Sequence, residues 1–127
     1  MIRFEGILRT RIWVSETAER DIVKFCKRGD PNGSFFKKLE RCSQDGFKVY
    51  EGRQVRHEWD GVYRFGVIDS LFRLIGFFED ASTMSDFIVI DTFTKTGQKL
   101  SASDRSRIDS VAGVRIQNKW QKVELEK

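Results

Sequence analysis

Two nearly unbroken apolar stretches, LFRLIGFF (residues 71–78) and FIVI (residues 87–90), stand on either side of the polar segment EDASTMSD. Runs this short, this apolar and bounded by turn-forming residues read as core strands, and the short link makes them antiparallel neighbours. Any fold of this chain must place both in its interior. One residue resists that demand. Arg73 carries a charge that no ordinary pH removes, and burying it alone is costly. Strand alternation sets Leu71, Arg73, Ile75 and Phe77 on one face and Phe72, Leu74, Gly76 and Phe78 on the other. Arg73 must therefore pair with a carboxylate such as Glu58 or Asp91, carry its head to the sheet edge, or meet a ligand.

The other elements are short. Residues 2–14 suit an opening strand, and Ser15 is a natural helix N-cap. Ala18, Ile22, Phe25 and Cys26 then recur at helical spacing as far as the RGDPNG break. Ser34 can cap a second helix that carries Phe35, Phe36, Leu39 and Cys42 on one side and stops at Asp45-Gly46. Residues 47–67 alternate like strands, broken by Gly52 and by the Asp60-Gly61 turn signal. After the TKTGQK segment, Ser101 and Asp104 have the spacing of a capping box, and Ile108, Ala112, Ile116 and Trp120 form one apolar stripe on the last helix. Gly113 costs that helix about 1 kcal/mol relative to alanine, so it marks close packing or an early end.

This order predicts an α+β fold: one domain over residues 1–127, with residues 122–127 a solvated tail. A small twisted antiparallel sheet carries the N-terminal helix pair and the C-terminal helix, with helices covering one of its faces. The chain has 127 residues, of which 39% are hydrophobic and 33% charged, which suits a single core and excludes a disordered tail.

No apolar run approaches the roughly 20 residues that cross a bilayer, and the charged start MIRFEGILRTRIW lacks a signal peptide's apolar segment. A cytoplasmic protein without a membrane partner is expected. Cys26 and Cys42 have neither CxxC spacing nor histidine company, so no metal site, disulfide framework or cofactor is suggested, and both read as unreactive core thiols. The net charge of +4 favours phosphate-rich partners.

Several residues are candidates for chemistry. Asp91, Phe93 and Lys95 share a strand face, and Lys95 and Lys99 stand beside the guanidinium of Arg73 if the two apolar strands form a hairpin; otherwise they are solvated loop lysines. Arg53, Arg56 and Arg64, interleaved with Tyr50, Trp59 and Tyr63, have the composition that grips phosphates and stacks bases, or equally that of a charged strand edge guarding against aggregation. His57 is the only histidine, which rules out a two-histidine acid–base pair and fits a surface residue. There is no GxSxG elbow, phosphate loop or HExxH helix.

Taken in order, WDGVYRFGVIDSLFRLIGFF and FIVIDTFTKTGQKLSASDRSRI resemble the RelE/ParE toxin superfamily, and within it the HigB-like, phage-derived group. Gly61-Val62-Tyr63 resembles that group's step into one strand, Phe72-Arg73 its aromatic–arginine step, and Phe93, Lys95, Gln98 and Lys99 its strand end before the last helix. The likeness covers about residues 47 to 119. Two positions depart from it: Gly66 stands where many members have an arginine, and Thr96 replaces the second residue of the usual lysine pair.

The resemblance implies a metal-independent endoribonuclease, a toxin that cuts mRNA, generally on the ribosome, and is blocked by a helix-turn-helix antitoxin. It assigns Arg73, Lys95 and Lys99 to catalysis and Arg53, Arg56, Arg64 and Tyr63 to RNA binding, with Lys95, His57 and Tyr63 as alternative general bases. A non-enzymatic module on the same fold, such as a ParE-like gyrase inhibitor, a degenerate toxin or an RNA-binding protein, is the other expectation.

Overall fold

The two apolar runs are adjacent strands in the middle of the sheet. The structure, a computed structural model, describes residues 9–30, 32–117 and 123–124. Its elements are β1 (Arg11–Val14), α1 (Glu16–Arg28), α2 (Ser34–Asp45), a 3-10 turn (Phe47–Tyr50), β2 (Val55–His57), β3 (Tyr63–Phe65), β4 (Phe72–Phe78), β5 (Asp86–Thr94), α3 (Ala102–Gln117) and β6 (Val123–Glu124). The fold is α+β, as the order of elements predicts. Strands β2 to β5 form the expected antiparallel meander, and the full order is β2-β3-β4-β5-β1-β6. Strand β1 lies parallel to β5, with Arg11 opposite Asp86 and Val14 opposite Val89. The opening strand is described only from Arg11, and residues 2–8 of the expected strand lie outside the described residues. Val123 and Glu124 pair with Val14 and Trp13 where a solvated tail was expected.

Local signals act as their chemistry requires. The Ser15 hydroxyl accepts from Ala18 N–H at 3.1 Å and donates to the Ile90 carbonyl, so one residue caps α1 and ties it to β5. Ser101 and Asp104 exchange two 3.1 Å hydrogen bonds, a complete capping box. Asp60 and Gly61 both have positive φ, with Val62 N–H bonded to the Trp59 carbonyl, a geometry that suits the tight turn between β2 and β3. The start of α2 departs from expectation. Ser34 is the first helical residue, and the buried carboxylate of Asp30 accepts from the N–H groups of Phe35 and Phe36, at 3.1 and 3.3 Å. A carboxylate reaching the helix start satisfies two orphan donors and complements the helix dipole, which a hydroxyl at Ser34 cannot do.

Helices cover both faces of the sheet, not one. On the first face α1 and α2 bury Ile22, Phe35, Leu39 and Cys42 against Phe65, Phe72, Leu74 and Phe87, with Phe25 stacked on Phe72 at 4.1 Å between ring centroids. On the second, α3 buries Ile108, Val111 and Ala112 against Ile75, Phe77, Ile88 and Phe93. Ile116 is 74% exposed, so the apolar stripe of α3 ends before it, and Trp120 lies outside the described residues. Cys42 is buried and its thiol is pushed up to about 11 by that burial, in keeping with an unreactive core thiol.

The register of the central pair contains one irregularity. Ile75 faces Asp91, but Gly76 faces Val89, so Ile90 is an extra residue in β5. At this β-bulge the backbones press together: a Cβ on Gly76 would lie 1.8 Å from the Ile88 carbonyl oxygen. The extra residue also reverses the alternation of β5. Ile88 and Ile90 pack toward α3, and after the bulge so do Asp91 and Phe93, while Thr92 turns to the other face and donates to Asp21 of α1.

Two substitutions test this description. Gly76→Ala forces apart the strand backbones and is expected to destabilise the fold by about 3 kcal/mol or more, read as a lower urea midpoint. Among the described residues Gly113 has no atom within 4 Å of the position a Cβ would take, and α3 runs past it, so neither close packing nor an early end accounts for it there. Gly113→Ala is therefore expected to raise stability by about 0.5 to 1 kcal/mol in the same titration.

Candidate nucleic-acid interface

Helix α3 covers only part of its face. Where β2, β3 and the start of β4 extend beyond it, a groove of about 440 Å³ opens, lined by Gln54, Arg64, Gly66, Ile68, Arg73 and Lys95, with Arg53 and Arg56 at its exposed side. The strand registers explain why. Arg56 pairs with Arg64 and Arg64 with Ile75, which puts all three side chains in one row on this face. Gln54 accepts a 3.0 Å bond from Gly66 N–H, and Gly66 follows the Phe65–Leu74 pair, so Gln54, Gly66 and Arg73 form the next row. Lys95 N–H bonds the Leu71 carbonyl at 2.8 Å, and the β5 bulge turns its side chain to the same side as Arg73.

Five of the seven predicted site residues thus meet in one groove. The other two do not. Lys99 is exposed on the loop beyond Lys95 and lines no part of it. Tyr63 lies one residue before Arg64, so the pleat sends it to the opposite face, where its ring packs on His57 and Phe78, each at 4.9 Å between centroids. The remaining aromatics have partners outside the groove. Tyr50 donates to Asp45, and Trp59 donates to Asp109 of α3 at 2.8 Å. Of the three candidate general bases, only Lys95 reaches the groove.

Arg73 has no carboxylate partner among the described residues. Glu58 is taken by Arg64, at 2.6 Å with both side chains largely buried, and Asp91 is taken by Arg107 of α3 at 3.0 Å. The half-buried guanidinium instead donates from Nη1 to the carbonyls of Ser70, at 2.5 Å, and Phe72, at 3.0 Å. Burial first, then the charges of Arg64 and Arg56, hold its pKa below the ordinary arginine range. Lys95 donates to the Gln98 carbonyl at 2.7 Å, and burial, then Arg64 and Arg73, lower its pKa as well. Neutral carbonyls orient these cations without cancelling their charge. The result is a concentrated positive site of the kind that draws in and holds a phosphodiester.

Two buried polar atoms in the groove wall, Gln54 Oε1 and Arg64 Nη1, have no hydrogen-bond partner among the described residues. Gln54 was not singled out from the sequence, and Gly66 only as a departure from the resemblance. The signal was present, since Gln54 stands two residues before Arg56 and Gly66 two after Arg64, the spacing that shares a strand face.

Comparison of the chain with protein-family models, with curated proteins and with solved structures found no match in any of the three. No helix among the described residues is long and apolar enough to cross a membrane.

The groove's charge predicts how binding varies with salt and pH. Affinity for a single-stranded oligonucleotide should fall with log salt at a slope of about −0.7 per phosphate neutralised, and Arg56→Ala should make it shallower by roughly that amount. Deprotonating Lys95 removes a cation, so affinity falls as pH rises through a value below the usual lysine range near 10.4. Fluorescence anisotropy from pH 7 to 10.5 should record that fall in the wild type and a nearly flat profile in Lys95→Arg, whose charge persists.

Proposed function

We propose that this protein is an RNA-cleaving toxin of a toxin–antitoxin pair, acting in the cytoplasm on mRNA, with the scissile phosphate held in the groove of Arg73. The observation that carries this reading is the guanidinium itself: half-buried, free of any described carboxylate and fixed by two carbonyls among four other cations. A site built for stability would have paired it. Attack of a ribose 2′-hydroxyl on the adjacent phosphorus forms the O2′–P bond and breaks the P–O5′ bond, and negative charge builds on the phosphoryl oxygens. Arg73 stabilises that charge, because its donors are already oriented and need little reorganisation.

Lys95 beside it is the group of the groove suited to moving a proton, since it is an amine among guanidinium groups and burial, then Arg64 and Arg73, lower its pKa from the ordinary lysine value. Arg64, braced by Glu58, and the exposed Arg53 and Arg56 grip the flanking backbone. Lys99 contacts RNA only outside the groove. A helix-turn-helix antitoxin that covers this positive surface would silence it, and the ribosome would present the mRNA.

A second reading, RNA binding without cleavage, is favoured by one observation. The described residues lining the groove include no imidazole and no carboxylate.

Incubating purified protein with RNA and mapping the ends separates the two. Cleavage is expected to leave 2′,3′-cyclic phosphate and 5′-hydroxyl ends, with Arg73→Ala slowing it on the order of 100- to 1000-fold. In cells, expression should arrest growth and Arg73→Ala should relieve the arrest while leaving the soluble yield unchanged. Intact RNA with salt-sensitive binding, in the presence of ribosomes as well, decides for the second reading.

A further inference from the structure

We propose that Gly66 is the seat of Arg73, a positioning residue whose missing side chain lets the guanidinium lie across the end of β3, and that an arginine at this position would expel Arg73. The inference rests on the reading of the groove as an RNA-cleaving site and assigns a role to a residue that otherwise looks like a lost phosphate contact.

The geometry is specific. A Cβ on Gly66 would stand 2.5 Å from Arg73 Cδ, 2.6 Å from Nε and 2.8 Å from Cζ, far inside ordinary contact for three consecutive atoms. Backbone conformation does not require glycine here. Gly66 is absent from the positive-φ residues, which include Gly33, Gly46, Gly52 and Gly61, so an L-residue meets no strain in the chain itself. Space is the reason. To clear a Cβ, the flexible end of Arg73 has to leave the pose in which Nη1 meets the carbonyls of Ser70 and Phe72, while Arg64 and Arg56 repel it from the neighbouring row. Gly66 is itself held, its N–H bonded to the Gln54 carbonyl. A side chain at 66 therefore displaces the guanidinium and not the strand.

This picture and that of a lost arginine make opposite predictions for one variant. If the groove lacks a cation at 66, Gly66→Arg adds a phosphate contact and speeds cleavage. If Gly66 seats Arg73, Gly66→Arg binds RNA at least as tightly as the wild type, through its added charge, yet cleaves more slowly. Gly66→Ala adds no charge and separates space from electrostatics. Both variants are expected to slow cleavage at saturating RNA on the order of 10- to 100-fold, with the RNA Kd of Gly66→Ala within roughly threefold of wild type. The thermal midpoint of Gly66→Ala should stay close to that of the wild type. Faster cleavage by Gly66→Arg, or unchanged cleavage by Gly66→Ala, overturns the proposal.

A second measurement does not depend on cleavage. The NMR signal of the Arg73 Nε–H, identified by its loss in Arg73→Lys, should move in Gly66→Ala and stay in place in Gly113→Ala. If the wild type cleaves no RNA, the proposed activity fails, while a displaced Arg73 signal still upholds the seat. An unmoved signal overturns the seat even where RNA is cut.

Discussion

Everything at the basic groove depends on the contact between the backbones of Gly76 and Ile88. Only glycine lets β5 come that near, and the accommodation takes the form of one extra residue, Ile90, in β5. Regular alternation starting from Ile88, which packs against α3, would send Lys95 to the side of α1 and α2. The bulge reverses the parity. Asp91, Phe93 and Lys95 come out on the α3 side, where Asp91 anchors Arg107, Phe93 joins the second core and Lys95 stands by Arg73. A single local irregularity thus sets both the packing of β5 and the charge of the groove.

The groove also shows where this fold departs from what stability alone would favour. Acids are at hand, yet Glu58 is committed to Arg64 and Asp91 to Arg107. Arg73 and Lys95 are left with carbonyl acceptors, and each has its charged form disfavoured by burial and by neighbouring cations. The two cores bear that penalty. One is rich in phenylalanine beneath α1 and α2, the other is mostly aliphatic with Phe77 and Phe93 beneath α3, and between them they fix every strand that lines the groove. Local sequence and global fold agree across most of the molecule, and the conflict is concentrated at the site, which is where functional demands are expected to override packing.

Much of this was legible in the sequence. The core strands followed from their apolar runs, the caps at Ser15 and Ser101 from short side chains ahead of helical periodicity, and the hairpin turn from Asp60-Gly61. The faces of β4 were correctly divided, since an uninterrupted strand keeps its alternation. Readings failed where a partner outside the local pattern decides. Asp30 caps α2 across a loop, β1 lies parallel to β5 far along the chain, and α3 occupies the face that was expected to lack a helix. The aromatic residues interleaved with Arg53, Arg56 and Arg64 looked like stacking platforms. The pleat sends Tyr63 away from the arginines, and Trp59 is held by Asp109.

The sequence by itself determined the α+β class, the central strands, the excess of positive charge and the anomaly of Arg73, because these depend on periodicity, composition and the permanence of a guanidinium charge. The tertiary structure alone decided the fate of that charge. Which of two acids is free, whether a glycine leaves room for an arginine, and to which side a lysine turns after a bulge are relations between residues far apart in the chain. They are set by strand register and close packing, and neither is written in the local pattern of any one segment.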